Sequence, residues 1–261
     1  MESKNIKIII AYDGTNYSGW QRQKNKKNIQ GTIEKTISII TGEQEIKLYG
    51  SGRTDAGVHA LGQVANFHTY SNLPVDRWPF ALNNALPGDI RIKYAKKVNA
   101  RFHARYSAKS KLYRYCVMTE NIVDEKNYYS SKYVFLKNYC YFFTKKLDVD
   151  RMNEAAKYLT GYHDFSSLSC LNKKKNDRKK NKIRKILNIK IEKKKKFVHF
   201  SIEANSFLYK MVRIIIGTLI DFSVNERNPG EIIQILKNKD NFKSGQVVPP
   251  CGLYLVKVRY K

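Results

Sequence analysis

Apolar residues along this chain recur with two periods, and the switches between them predict the order of its elements. Residues 5–12 are expected to form a buried strand through Ile6, Ile8, Ile9 and Ile10, followed by a helix whose stripe is Ile29, Ile33, Ile37 and Ile40 and which stops near Gly42. A second strand is expected from Ile46 to Ser51 and a third, alternating, from Gln63 to Thr69. Trp78, Leu82 and Ala85 then mark a helix ended by Pro87-Gly88, and Ile90, Ile92 and Tyr94 line a fourth strand. The order is β-α-β-β-α-β.

The second half repeats this plan. Lys109 to Thr119 is expected as a strand, and Asp148 should cap a helix carrying Met152, Ala155 and Leu159. Ile183 to Ile191 and Phe197 to Ala204 read as a hairpin across a lysine turn. Two helices follow, one through Met211, Ile215, Leu219 and Phe222, the other opened by Asn228-Pro229-Gly230-Glu231, which supplies a cap, a proline at the first position and a capping-box acid. Leu253 to Tyr260 closes the unit as a strand, while residues 121–147 are aromatic and lysine-rich and have no assigned element. The class is therefore α+β, with two ferredoxin-like lobes at 1–104 and 105–261, whose sheets, if joined edge to edge, would leave a long cleft between the lobes.

Composition narrows the partners. A formal net charge of +27 favours a polyanion, because Lys and Arg displace counterions from phosphates. Part of the lysine excess follows from a coding bias that also enriches Asn, Ile and Tyr, yet the remainder favours RNA over a small acidic metabolite. No run of about 18 apolar residues exists, and Met1-Glu2-Ser3-Lys4-Asn5 leads straight into a strand, so a cytoplasmic protein without membrane contact is expected. The four cysteines, Cys116, Cys140, Cys170 and Cys251, are scattered and five histidines lack ligand spacing, so reduced thiols and no metal are expected. The runs from Lys173 to Lys182 and Lys193 to Lys196 read as a basic loop and a basic hairpin tip, which either are simply solvated, as such runs usually are, or track RNA phosphates.

The candidate chemistry lies in Gly52-Arg53-Thr54-Asp55-Ala56-Gly57-Val58-His59, a glycine-flanked turn between two strands that carries one guanidinium and one carboxylate. Exposed pairs of this kind are usually incidental. Directed into a cavity, however, a carboxylate held ionised by an arginine is a nucleophile or base.

The wider string Gly50-Ser51-Gly52-Arg53-Thr54-Asp55-Ala56-Gly57-Val58-His59-Ala60, with Gly62-Gln63-Val64, resembles the signature of the tRNA pseudouridine synthase A (TruA) family. So do Tyr12-Asp13-Gly14 with Tyr17 to Gln23, Asn83 to Ile90, Phe102-His103-Ala104-Arg105, Tyr113-Arg114-Tyr115, His163-Asp164-Phe165, Asn205 to Gly217 and Gly252 to Leu255, which together run the length of the chain. The resemblance implies a two-lobed, mainly antiparallel sheet flanked by helices with a central RNA-binding cleft, and isomerisation of uridines 38, 39 and 40 (tRNA numbering) in the anticodon stem-loop, by a homodimer without cofactor. It implies Asp55 as nucleophile, Tyr113 as the active-site tyrosine that stacks on uracil and can exchange a proton, and Arg213 as the basic residue that pairs with Asp55. Flipping the target base out of its stem leaves Arg53 to position it or fill the gap. Trp20, Gln21, Arg22 and His59 are candidate RNA contacts, Trp20 being equally suited to plug the core. No DNA partner is expected. A non-catalytic RNA-binding module would share the charge but leave the Arg53-Thr54-Asp55 string without purpose, and a nuclease would need acid and base groups about a phosphate.

Overall fold

The computed structural model describes residues 2–119, 131–170, 181–238 and 244–260. Two compact units result, Met1–Lys109 with Tyr254–Lys261, and Ser110–Leu253. The expected boundary at residue 104 is thus displaced by a few residues, and the closing strand, expected in the second lobe, falls in the first.

The first unit contains β1 (Lys4–Tyr12), α1 (Ile29–Thr41), β2 (Tyr49–Gly50), β3 (His59–Thr69), α2 (Trp78–Ala85) and β4 (Ile90–Val98). β1 lies between β3 and β4, antiparallel to both, with Ile8 opposite Ala65 and Ala95. Its alternation sends Ile6, Ile8, Ile10 and Tyr12 into the core and leaves Ile9 half-buried on the other face. α1 begins where Asn28 accepts from the Gly31 amide and ends at Gly42, whose left-handed φ of 74° lets its N–H reach the Ser38 carbonyl. The expected stripe is buried at Ile29, Ile33 and Ile37. α2 docks through Trp78, edge-on to Phe67 of β3.

Two expectations needed adjustment here. Of the expected second strand only Tyr49–Gly50 forms a ladder with β3, Ser51 adding a single amide bond to it, although Ile46 and Leu48 are buried, and β3 begins at His59 rather than Gln63. That earlier start has a cause: β10 (Leu253–Arg259) runs parallel to β3, placing Tyr254 opposite His59 and Leu255 opposite Ala60. Asn5 and Asn66, on the face opposite Ile6, hold the segment after β4 by bonds to the Phe102 carbonyl and the Ala104 amide, and the Tyr260 hydroxyl donates to the Ala104 carbonyl.

In the second unit β5 (Ser110–Met118), β9 (Phe197–Ala204), β8 (Ile183–Lys194) and β7 (Gly161–Asp164) follow one another, each antiparallel to the next, and β6 (Tyr141–Phe142) runs parallel to β5. Its helices are α3 (Ser131–Leu136), α4 (Val149–Lys157), α5 (Met211–Val224) and α6 (Glu231–Asn238). Asp148 caps α4 by accepting from the Arg151 amide, and Glu231 returns a bond to the Asn228 amide, as their spacing foretold. α3, β6 and β7 carried no sequence expectation. The lysines at 173–180 lie outside the described residues, whereas the basic tip between β8 and β9 is present. The fold is α+β, with mostly antiparallel sheet flanked by helices.

Burial pushes the hydroxyls of Tyr12, Tyr115 and Tyr260 above the ordinary tyrosine range. With a folded pKa raised above the unfolded one, the contribution is fully present below pH ~10 and is lost as pH rises past it, because the unfolded chain then releases protons that the folded chain retains. Thermal melts between pH 9 and 11 are expected to show a fall in Tm that is shallower in Tyr260→Phe; equal slopes would refute this.

Candidate active site

Asp55 sits on the segment between β2 and β3, and almost every neighbouring residue acts to fix its backbone. The Ser51 amide donates to the Val64 carbonyl at 2.7 Å, and the Ser51 hydroxyl donates to Gln63 Oε1 at 2.6 Å. Gln63, fully buried, then returns its amide to the Gly52 carbonyl at 3.0 Å. At the far end the Val58 amide closes a turn on the Asp55 carbonyl, with Gly57 at φ 74° in the third position that requires a left-handed residue. Between these anchors Thr54 is buried, its hydroxyl 2.8 Å from the Tyr12 hydroxyl and its carbonyl accepting from the Trp20 amide. Asp55 itself is half-buried, and Arg53 and Ala56 beside it are exposed.

A second loop, residues 13–20, is pressed against this one at van der Waals limit. A Cβ on Gly14 would lie 2.0 Å from the Val58 carbonyl oxygen, and one on Gly19 would lie 2.5 Å from that of Thr54. The two backbones meet with no room for a side chain between them, so the height and tilt of the Asp55 turn are set by main-chain contact.

The structure sorts the candidate RNA contacts. Trp20 is 2% exposed, with its indole packed so closely on Gly50 that a Cβ there would come within 2.6 Å of the ring, and it plugs the core. His59 is likewise interior, stacked on Tyr254 at 4.8 Å, its Nδ1 3.1 Å from both the Gly14 amide nitrogen and Asp13 Oδ1. Both are enclosed because the strand and loop carrying them face the core. Arg22 remains exposed, while Gln21 accepts from Arg53 Nε at 2.8 Å.

In the second unit Tyr113 lies on β5 opposite Ile202, nearly buried, with its ring edge-on to Phe207 at 5.1 Å and 88°. Arg213 occupies the first turn of α5, and its Nε donates to the Val248 carbonyl at 2.7 Å. The same stretch is held by Tyr115, whose hydroxyl donates to the Pro249 carbonyl at 2.8 Å. Gly217 lets this loop cross α5 in contact with its backbone, since a Cβ there would fall 1.8 Å from the Gln246 carbonyl oxygen. Among the described residues no three or more His, Cys, Asp or Glu side chains are placed to hold a metal ion, and no helix is long and apolar enough to cross a membrane.

The family model described as tRNA pseudouridine synthase matches residues 8–107 and 155–261. The chain belongs to that family. Among its relatives, the tRNA pseudouridine synthase A of Thermoanaerobacter sp. (strain X514) is 44% identical over 257 residues, which cover 98% of this chain and 100% of that protein. That of Caldicellulosiruptor bescii is 45% identical over 257 residues with the same coverage, and that of Brevibacillus brevis 42%. This is an isomerase family acting on tRNA.

For a pseudouridine synthase the informative residues that sequence reasoning passed over are those that hold the turn. Gln63 is a polar residue inside the apolar run of β3, a pattern that signals a buried bond. Gln30 and Glu34 are four apart on α1 and adjoin the buried stripe, the spacing at which helix side chains meet.

Proposed function

We propose that this chain converts uridine to pseudouridine at positions 38, 39 and 40 of the tRNA anticodon stem-loop, with Asp55 as nucleophile and no cofactor. The observation that carries this reading is the half-buried carboxylate on a turn immobilised from both sides, in a chain of this family. The N1–C1′ bond breaks, the base rotates, and a C5–C1′ bond forms; C5 loses a proton and N1 gains one, so no electrons are exchanged. One carboxylate suffices, whether it adds to the base, attacks C1′ or assists departure of uracil.

Arg53 extends from the same turn and is assigned to base flipping and positioning. Tyr113 is assigned to uracil stacking, with its hydroxyl available for proton transfer. Arg213 is assigned as the cationic partner of Asp55. Exposed Arg22 and the basic hairpin tip suit phosphate contacts. The chain acts as a cytoplasmic homodimer on this reading, and three successive target positions require recognition of RNA shape more than base sequence. Nucleotide-resolution pseudouridine mapping of unmodified tRNA transcripts treated with the purified protein is expected to show conversion at these three positions. Conversion elsewhere would overturn the positional assignment; binding or cleavage of the RNA without conversion would overturn the reaction.

A further inference from the structure

A chain of amide side chains runs from the interior of the first unit to Arg53, and its polarity is fixed at the buried end. Glu34 on α1 is 5% exposed, and its Oε1 accepts from the Leu48 amide at 3.0 Å and from Gln30 Nε2 at 2.9 Å. Gln30 Nε2 also donates to the Leu48 carbonyl at 3.1 Å, so both donor positions of that amide are used. Its oxygen faces the other way and accepts from the Arg22 amide at 3.1 Å and from Gln21 Nε2 at 2.8 Å. Gln21 is thereby turned with its oxygen outward, where it accepts from Arg53 Nε at 2.8 Å.

Only one orientation of the two amides satisfies these contacts. A flipped Gln30 would set its NH2 against the Gln21 NH2 and the Arg22 N–H, and its oxygen against a carboxylate and a carbonyl. The carboxylate of Glu34 can only accept, and Arg53 can only donate, so the chain has a defined start and end. Arg22 Nη1, 3.4 Å from Glu34 Oε2, places a compensating charge beside the acid. An exposed arginine on a loop ordinarily samples many rotamers, whereas one Nε bond to a fixed acceptor removes several of them.

We propose that Gln21, Gln30 and Glu34 are positioning residues that hold the Arg53 guanidinium ready for the extruded base, with Glu34 setting the direction of the chain. The inference rests on the base-flipping role assigned to Arg53 and adds the device that orients it. Loss of one bond of this kind weakens transition-state positioning by about tenfold.

The test is a double-mutant cycle on kcat/KM with full-length tRNA. Gln21→Ala and Gln30→Leu are each expected to lower kcat/KM about tenfold, and neither should add to the defect of Arg53→Ala. Gln21→Ala trims a half-buried loop side chain outside the helical core, so it keeps the test open should Gln30→Leu unfold. The defects should shrink to within about twofold on a transcript whose target uridine is mismatched and already loosened from its stem. Additive losses in the Arg53→Ala background, or equal losses on paired and mismatched targets, would overturn the relay. Wild-type kcat/KM in Arg53→Ala itself would instead overturn the role of Arg53, so the two failures are told apart.

Discussion

Asp55→Asn is expected to abolish pseudouridine formation, by about 10⁴-fold or more in kcat, the scale at which removal of a nucleophile is felt. The substitution changes one oxygen to an NH2 and leaves the volume of the side chain unaltered. Ser51, Gln63, Thr54 and main-chain atoms all contribute bonds that hold the turn, and these remain in the variant, so the loop should keep its course. An amide carries no charge and is a poor nucleophile, and each of the three routes available to the carboxylate fails with it. Affinity for tRNA, dominated by phosphate contacts from a chain of net charge +27, should stay within about threefold of wild type. Carbodiimide-blocked primer extension reads the product and filter binding the affinity. A variant retaining a tenth of the wild-type rate would remove Asp55 from the chemistry, and one that lost affinity in step with rate would make the residue a binding determinant.

The parts of this fold that could be read from sequence are those fixed by local physics. The α1 end follows from Gly42, the α4 start from Asp148, and the α6 start from the Asn228/Glu231 exchange, all within a few residues of the positions they govern. Alternation in β1 gave its buried face because a strand has only two. What local pattern could not reveal was partnership at long range. Leu253 to Tyr260 reads as a strand in any context, but its placement beside His59 and Ala60 depends on pairing across nearly two hundred residues of sequence. β6 and β7, of two and four residues, are too short to establish a period.

The same division applies to the candidate site. The Arg53/Asp55 turn was visible as a string, and Tyr113 and Arg213 through family resemblance. Trp20 and His59 belong to the same motifs as the exposed candidates, and nothing in the string distinguishes a residue that presents the turn to RNA from one that supports it underneath. Burial made that distinction. The relay from Glu34 to Arg53 was hidden for a related reason: its members come from the loop before α1, two turns of α1 and the Asp55 loop, and they become a chain only when those segments meet.

Main-chain contact beneath Asp55 leads to the second large expected effect. Gly14→Ala should lower kcat/KM about 100-fold, with the loss mainly in kcat, because the new methyl would sit 2.0 Å from the Val58 carbonyl oxygen and 2.7 Å from its carbon. The obstacle is backbone, which cannot rotate away as a side-chain tip would. Separating the two loops to ordinary contact moves the Asp55 turn by more than an ångström, and displacement on that scale costs about two orders of magnitude in rate. Overpacking also costs roughly 1–3 kcal/mol of stability, so the Tm should fall as well. Gly42→Ala separates these consequences. A Cβ on Gly42 meets nothing within 4 Å, yet its φ of 74° is unfavourable for alanine, so that variant should lose about 1 kcal/mol of stability and keep wild-type kcat/KM per folded molecule. If Gly14→Ala behaved like Gly42→Ala, cooler and undiminished in rate, the position of the carboxylate would not depend on the loop pressed against it, and the geometric basis of the proposed nucleophile would fail.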